Sequence, residues 1–271
     1  MAARKIWNAL AARFRQHSPM ADGVERTFLI PEGQLVYAIG DIHGEADLLR
    51  KLLVKLRIDA DNHAQRAAVS LIFLGDYLDR GPDSRQVLDI LTSDPFPEAS
   101  VHFLRGNHEQ ALLDFLITPV EAQAWLRFGG IETLSSYGVR ASPGLSDPAR
   151  LMGLAQELAE RLPTTHLAFL RHTKLMSIIG DYVFVHAGIR PGISLAAQQP
   201  DDLLWIRDGF VDRPFSSDYA IVHGHTIVDV PVVTGNRIAI DTGAYATGVL
   251  TALALSGKDR RLLQVGQRGS S

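Results

Sequence analysis

Three apolar runs in the first half of the sequence lead directly into glycine and polar residues. The runs cover residues 35–39, 69–74 and 101–104, and each is followed within two residues by a glycine. Short aliphatic runs that break in this way predict buried strands, and the helical patterns between them indicate alternating strands and helices. Because function in open α/β folds lies at the carboxyl ends of strands, the sequence predicts an α/β fold with a site at these ends.

The polar segments after these runs carry side chains that bind metals and phosphate. In chain order they are Asp41 and His43, then Asp76, Asp79 and Arg80, then Asn107 and His108. Residues two apart on an extended chain point to the same side, so Asp41 and His43 can bind one ion together. The second segment taken alone also fits an ordinary solvated turn, but the same pattern at three strand ends argues against that alternative.

The pattern becomes β-rich after residue 174. Three hairpins are predicted over residues 176–185, 230–240 and 249–265, each with a glycine in its turn. The first hairpin ends at His186, and a further predicted strand over residues 219–222 leads to His225. The second half of the chain therefore adds two imidazole side chains to those already placed at strand ends.

Residues 110–172 show helical patterns interrupted by proline and glycine, which we interpret as a helical insert over the site. Trp125, Phe128 and Tyr137 in this insert either line a substrate pocket or pack in the core. Aromatic residues at helical spacing are more often part of a core, so we favour packing for all three.

The composition excludes several classes of protein. A net charge of −3 and a pI near 6.4 argue against a nucleic-acid binder, because affinity for phosphate backbones comes from clustered lysine and arginine. The sequence has no cysteine, which excludes thiolate zinc sites and fits a reducing, cytoplasmic environment. No apolar segment reaches the roughly 18 residues that span a bilayer, so we expect no integral membrane segment.

The length of the chain suits one domain over residues 35–271. Residues 1–34 form a basic amphipathic segment followed by a linker. The segment lacks the apolar core of a signal peptide. We favour a loosely docked terminal helix over a helix that lies on a membrane surface.

Together the strand ends offer six metal ligands: Asp41, His43, Asp76, Asn107, His186 and His225. This mixture of carboxylate, imidazole and amide suits manganese, iron or zinc better than calcium, which prefers oxygen ligands. Six ligands are too many for one catalytic ion with an open position, but they suit two ions that share a carboxylate. Two such ions serve in-line displacement at phosphorus and acidify a bridging water.

The sequence resembles the phosphoprotein phosphatase branch of the calcineurin-like metallophosphoesterases over residues 35–245. The motifs that carry the resemblance are Gly40-Asp41-Ile42-His43-Gly44, Gly75-Asp76-Tyr77-Leu78-Asp79-Arg80-Gly81, Arg105-Gly106-Asn107-His108-Glu109, His186-Ala187-Gly188 and Gly224-His225-Thr226. Each motif is weak by itself, whereas the set in family order is specific. The resemblance implies a two-sheet β-sandwich flanked by helices, with the helical insert added to it.

The resemblance also implies a role for each residue. Asp41 and His43 would bind the first metal, Asp76 would bridge, and Asn107, His186 and His225 would bind the second. His108 would be the general acid and Asp79 would orient it. The phosphate-binding residues would be Arg80, Asn107 and, as a second clamp, Arg207.

Several other residues have no such role. We expect surface or satisfied core positions for His17, His63, His102, His166 and His172. His223 is expected to support a ligand rather than bind metal. Asp241 is either a support of this kind or only a turn residue. Ile227 stands where the wider superfamily has a second histidine. The absence of that histidine is typical of the phosphoprotein phosphatase branch.

The implied activity is hydrolysis of phosphate monoesters by in-line attack of a metal-bridging hydroxide. Phosphorylated Ser, Thr or Tyr on proteins is the expected substrate, although a small phosphoester would also fit. Two divalent metal ions are expected as cofactors, with manganese preferred and iron or zinc as alternatives. The continuation Pro82-Asp83-Ser84 is similar to that of compact bacterial members of the family.

The compact bacterial members also include symmetrical dinucleoside tetraphosphate hydrolases, which are the alternative function. Such hydrolases usually lack an aspartate at the place of Asp79, so this residue favours monoesters. A non-catalytic metal-binding scaffold is a third hypothesis. The presence of every ligand, of the acid and of its orienting partner argues against it.

Overall fold

Two five-stranded mixed sheets pack face to face, with helices on the outer side of the first sheet. The computed structural model describes residues 26–63, 67–141 and 146–266. Most of the predicted N-terminal amphipathic segment, residues 1–25, lies outside the described residues. The α/β class and the two-sheet sandwich expected from the sequence are confirmed.

The strands are β1 (Gln34–Ile39), β2 (Ala68–Phe73), β3 (Ser100–Phe103), β4 (Met176–Ile179), β5 (Tyr182–Val185), β6 (Ala220–His223), β7 (Val232–Val233), β8 (Arg237–Ala239), β9 (Leu250–Ser256) and β10 (Asp259–Val265). The α-helices are α1 (Ala46–Asn62), α2 (Ser84–Thr92), α3 (Asn107–Ile117), α4 (Gly130–Ser136), α5 (Pro148–Arg161), α6 (Thr164–His172), α7 (Pro200–Trp205) and α8 (Ala244–Thr247), with 3-10 helices at Gln123–Phe128 and Leu195–Ala197. Within the described ranges, no helix has the length and apolar character that would let it cross a membrane.

The first sheet has the strand order β10-β9-β1-β2-β3. Strands β1, β2 and β3 run parallel, while β9 is antiparallel to β1 and β10 is antiparallel to β9. Because parallel strands end at the same edge, the polar segments that follow β1, β2 and β3 meet there. This alignment assembles the first half of the site.

The second sheet has the order β4-β5-β6-β8-β7. Its three central strands are parallel, and β4 and β7 flank them in the antiparallel sense. The three hairpins predicted from the sequence are confirmed as β4–β5, β7–β8 and β9–β10. The last hairpin joins the first sheet beside β1, so the end of the described chain pairs with its beginning.

Side chains of β1 alternate between two cores. Leu35, Tyr37 and Ile39 pack among the buried leucines of α1 and α2, whereas Val36 and Ala38 face the second sheet. This period of two is what a strand buried on both faces requires. The central strand of the first sheet thereby holds the outer helices and the second sheet together.

The three aromatic residues singled out in the helical insert have different environments. Trp125 and Tyr137 are buried in the core, as predicted, and Trp125 also lines a cavity. Phe128 is 63% exposed, so the prediction that it packs in the core is wrong. The 3-10 helix ends at Phe128, and Gly129 then adopts a left-handed φ of 109°. The changed chain direction leaves the ring in a cavity wall instead.

Candidate active site

The segments after β1, β2, β3, β5 and β6 converge at one edge of the sandwich. A cavity of about 780 Å³ opens there. The predicted site residues that line it are His43, Asp76, Arg80, Asn107, His108, Arg207 and His225. Three more lie just behind the wall and contact it, namely Asp41, Asp79 and His186. The structure therefore brings together all ten residues that the sequence placed at the site.

Two groups of metal-ligating side chains lie in this cavity and share Asp76. One group contains His43 and His108, and the other contains His186 and His225. Within each group the ligand atoms lie within 4.8 Å of one another. Asp41 belongs to neither group, although its Oδ2 accepts the backbone N–H of His225 at 2.9 Å.

The proton positions on two histidines fit a cation beside Asp76. His43 Nδ1 donates to the carbonyl of Leu78 at 2.7 Å, and His186 Nδ1 donates to the carbonyl of Leu74 at 3.0 Å. Burial lowers the pKa of both rings, so each is neutral and carries no proton on Nε2. Each Nε2 nevertheless faces an oxygen of Asp76 at 3.4 Å. The imidazole nitrogen and the carboxylate oxygen are both acceptors and repel each other, and a metal ion bound to both would remove this repulsion.

Buried carboxylates also fit positive charge at this edge. Asp41 Oδ1 is buried and has no hydrogen-bond partner among the described residues. Burial and the nearby charges of Asp241 and Asp76 raise the pKa of Asp41, and burial raises the pKa of Asp241 to about 6. Divalent cations would offset this repulsion and engage the free oxygen. The residues present thus fit a divalent metal site.

Backbone strain is concentrated in the same place. Five site residues other than glycine have left-handed φ values: His43 (46°), Asp76 (50°), Asp79 (71°), Arg80 (67°) and His225 (61°). Such a conformation costs about 1–3 kcal/mol and persists only where surrounding contacts maintain it. The turns that carry the functional side chains are therefore held by the rest of the fold.

Glu109 supplies one of these contacts. Its fully buried carboxylate accepts the backbone N–H groups of Asp76, Tyr77 and Gly106, each at 2.8 Å. Burial, together with the charge of Asp76, raises the pKa of Glu109 to about 7. Because Asp76 follows β2 and Gly106 follows β3, the carboxylate joins the two strand ends that bear predicted ligands.

His108 and Asp79 form a close, buried pair. His108 Nδ1 lies 2.6 Å from Asp79 Oδ2, and Asp79 has no exposed surface. Burial opposes protonation of His108, but the carboxylates of Asp76 and Asp79 outweigh it and raise the pKa of His108 to about 9. A protonated imidazole facing the cavity can give a proton to a leaving group.

The carboxylate of Asp79 is also held by two residues of the helical insert. Trp125 Nε1 donates to Oδ2 at 2.7 Å, and Thr133 Oγ1 donates to Oδ1 at 2.5 Å. The backbone N–H of Asp79 donates to the hydroxyls of Thr133 and Ser84, both at 3.0 Å. The insert therefore directly contacts the turn that carries Asp79.

The two predicted phosphate-binding arginines enter the cavity from different sides. The Arg80 guanidinium lies over the ring of Tyr245, 4.8 Å from its centroid, and donates to the Tyr245 hydroxyl. Its Nη2 lies 3.4 Å from His108 Nε2, so the two side chains reach the same point of the cavity. Arg207 Nε donates to His225 Nε2 at 3.2 Å.

The other histidines and Asp241, for which no direct metal-binding role was predicted, lie in different environments. His223 is buried, with Nδ1 bonded to the Gly224 carbonyl at 3.0 Å, and its ring packs on Phe210. His166 is a satisfied core histidine between the Tyr137 hydroxyl and Asp89. Half-buried or exposed positions are found for His63, His102 and His172, while His17 lies outside the described residues. Asp241 lines the cavity.

Sequence reasoning did not identify the roles of four residues that contact the site: Glu109, Trp125, Thr133 and Tyr245. Glu109 had a local signal, since a glutamate three residues after the N-cap Gly106 predicts a bond back to that N–H. The contacts of the other three join residues at least 46 positions apart in the chain. No local pattern indicates contacts of that range.

Comparisons with known proteins agree with this geometry. The family model for calcineurin-like phosphoesterases matches residues 35–246. The chain is 30% identical over 236 residues to a bis(5'-nucleosyl)-tetraphosphatase, PrpE [asymmetrical], of Halalkalibacterium halodurans, covering 79% of this chain and 87% of that protein. It is also 30% identical over 221 residues to serine/threonine-protein phosphatase 1 of Salmonella typhimurium, covering 80% of this chain and 89% of that protein.

A solved structure has the same fold. The cold-active protein-tyrosine phosphatase of a psychrophilic Shewanella species superimposes with a TM-score of 0.53 at 20% sequence identity. The superposition covers 92% of this chain and 87% of that one. At this level of identity the likeness concerns the fold alone.

Proposed function

Because this chain belongs to the calcineurin-like phosphoesterase family and is a metal-dependent phosphoester hydrolase, we propose that it cleaves phosphate monoesters, with proteins phosphorylated on Ser, Thr or Tyr as substrates. The relative named serine/threonine-protein phosphatase 1 supports a protein substrate. Phe128 and Trp205 line the cavity and are exposed, so a peptide could contact them beside the phosphate.

The observation that carries the proposal is the 2.6 Å contact between His108 Nδ1 and Asp79 Oδ2. An alcohol or phenol leaves poorly without a proton, since the phenol of tyrosine has a pKa of about 10. A phosphate leaving group, with a second pKa of about 6, departs as an anion without help. A protonated histidine held by a buried carboxylate is therefore most useful against a monoester.

The residues divide into two sets of metal ligands. Asp41, His43 and Asp76 would hold one divalent ion; Asn107, His186 and His225, with Asp76 shared, would hold the other. When bound, two such ions acidify a water and neutralise charge on the phosphate oxygens. Carboxylate, imidazole and amide ligands without thiolate favour manganese, with iron or zinc as alternatives.

The protein's own side chains would then bind the ester and move one proton. Arg80, Arg207 and the Asn107 amide would bind the phosphate oxygens in the cavity. His108 would pass the proton on Nε2 to the leaving oxygen as the bond from phosphorus to that oxygen breaks. Its Nδ1–H would remain hydrogen-bonded to Asp79, and this bond keeps Nε2 directed at the leaving group.

The proposal is tested with purified protein loaded with manganese. We expect inorganic phosphate release from a phosphopeptide, and a loss of at least about 10²-fold in kcat for His108→Asn. His102→Asn is the matched control, because His102 is half-buried on β3 outside the cavity. Equal rates for His108→Asn and the unaltered protein would refute the assigned acid, and no turnover of any monoester would refute the activity.

A second candidate is hydrolysis of dinucleoside tetraphosphates, which the relative named bis(5'-nucleosyl)-tetraphosphatase favours. Diadenosine tetraphosphate offered beside the phosphopeptide separates the two functions. Two molecules of ADP as products would indicate symmetrical cleavage, the alternative function expected from the sequence. ATP and AMP as products would indicate the asymmetrical cleavage that the relative's name states. A strong preference for the nucleotide would overturn the monoester proposal.

A further inference from the structure

We propose that Trp125 is a positioning residue of the acid pair: its indole N–H holds the Asp79 carboxylate in the orientation that directs His108. This inference rests on the proposed function, in which His108 protonates the leaving oxygen. It assigns to the helical insert a part in catalysis as well as in covering the site.

The geometry of one oxygen atom carries the inference. Asp79 Oδ2 accepts from Trp125 Nε1 at 2.7 Å and from His108 Nδ1 at 2.6 Å. Thr133 Oγ1 occupies the other oxygen, Oδ1. Because donors from three different helices engage the two oxygens, the carboxylate cannot rotate away from the imidazole without breaking a bond.

Burial makes these bonds strong. Asp79 has no exposed surface, and Trp125 is 3% exposed. A hydrogen bond from a neutral donor to a buried carboxylate is roughly twice as strong as one between neutral groups. Removing the indole donor leaves Oδ2 with one partner fewer.

Packing alone is the alternative role for this side chain. Trp125 packs on Phe115, with ring centroids 4.9 Å apart, and buried indoles commonly do no more than that. However, an indole has a single donor, and here it is directed at the carboxylate that holds the proposed acid. The chain also makes room for the ring, since a Cβ added at Gly130 would lie 2.6 Å from Trp125 Cδ2.

The inference predicts a specific kinetic signature. Without the indole donor the Asp79 carboxylate is less fixed, and His108 is less often oriented towards the leaving oxygen. This slows only those reactions that need a proton on the leaving oxygen. Loss of the indole donor should therefore matter little for 2,4-dinitrophenyl phosphate, whose phenolate leaves unaided. It should lower kcat about tenfold for phenyl phosphate and for a phosphoserine peptide, the size of a lost hydrogen bond to a charged group.

Two variants test this in the manganese-loaded protein. Trp125→Phe removes the donor, and replacement of Trp125 by 3-benzothienylalanine replaces N–H by sulfur while keeping the shape of the ring. Phe115→Leu is the control, because it disturbs the same packing without touching Asp79. Rates are measured across a series of aryl phosphates of graded leaving-group pKa, and thermal unfolding confirms that each variant is folded.

The expected result is a steeper dependence on leaving-group pKa for both Trp125 variants and an unchanged slope for Phe115→Leu. An unchanged slope for the benzothienyl variant would reduce Trp125 to a packing residue and overturn the inference. His108→Asn separates this failure from failure of the proposed function. If the slope for His108→Asn is steeper than that of the unaltered protein while the slopes for the Trp125 variants are unchanged, only the inference about Trp125 is refuted. If the slope for His108→Asn is also unchanged, the proposed role of His108 as the acid is refuted as well.

Discussion

Glu109 lies beneath Asp76 and accepts its backbone N–H at 2.8 Å. Asp76 is held at a left-handed φ of 50°, which a residue with a side chain adopts only when other contacts maintain it. The same carboxylate accepts the N–H of Gly106, directly before the proposed ligand Asn107. A residue outside the proposed ligand set thus holds the backbone at two proposed metal ligands.

Glu109→Gln should weaken manganese binding by about 10–100-fold, the usual effect of losing a residue that orients ligands. The amide offers one acceptor and places an NH2 group against backbone donors, so the turn at Asp76 relaxes. Isothermal titration of the metal-free protein measures the change. Glu132→Gln, the same substitution at an exposed position of α4, should bind manganese normally. Unaltered affinity in Glu109→Gln would show that the turn does not need the carboxylate.

Tyr245→Phe should raise KM for phosphopeptides about fivefold and leave kcat nearly unchanged. The substitution keeps the ring beneath the Arg80 guanidinium but removes the hydroxyl that accepts its N–H. A net loss of about 1 kcal/mol is typical for one such bond. Steady-state kinetics separates the two constants. Tyr137→Phe, which removes a buried hydroxyl from His166 outside the cavity, is the control. A drop in kcat at constant KM would contradict this prediction.

Gly129→Ala should destabilise the fold by about 2–4 kcal/mol and reduce activity, because strain and overlap both act at this position. Gly129 has a φ of 109°, and an added Cβ would lie 2.4 Å from Arg80 N. Gly153→Ala, by contrast, falls within α5, where a Cβ meets nothing within 4 Å. It should stabilise the protein by about 0.5–1 kcal/mol. Urea denaturation of both variants checks the pair, and equal stabilities would contradict the close approach at Gly129.

Asp59→Asn should lower stability by about 1 kcal/mol at neutral pH, a value reduced by solvent screening of a partly exposed pair. Asp59 on α1 accepts from Arg261 through both oxygens, at 2.7 and 2.8 Å, and from the Tyr37 hydroxyl at 2.6 Å. The bonds to Arg261, followed by that to Tyr37, lower the pKa of Asp59 despite burial.

The sign of the pH dependence follows from this lowered pKa. Stability from Asp59 is fully present above the unfolded value of about 3.9 and declines as pH falls through the lower folded value. The stability gap between the unaltered protein and Asp59→Asn should therefore narrow below about pH 4. Thermal unfolding between pH 3 and 7 measures it, with the exposed Asp61→Asn as control. A difference in stability between the two proteins that does not change with pH would contradict the lowered pKa of Asp59.

The positions of the candidate site residues could be predicted from the sequence because each proposed ligand follows a strand within a few residues. Asp76, for example, comes two residues after Leu74 in an apolar run, and parallel strands place such positions at one edge. The alternation of strand residues between two faces similarly determined which side chains of β1 reach each core. These are local properties of the chain.

Only the tertiary structure decided what surrounds and orients those ligands. The contacts of Asp79 with Trp125 and of Arg80 with Tyr245 join residues 46 and 165 positions apart, and β9 returns to pair with β1. Contacts of this range depend on the packing of whole elements, which no local periodicity encodes. The exposure of Phe128 has the same origin, since helical spacing indicates a face but not what covers it.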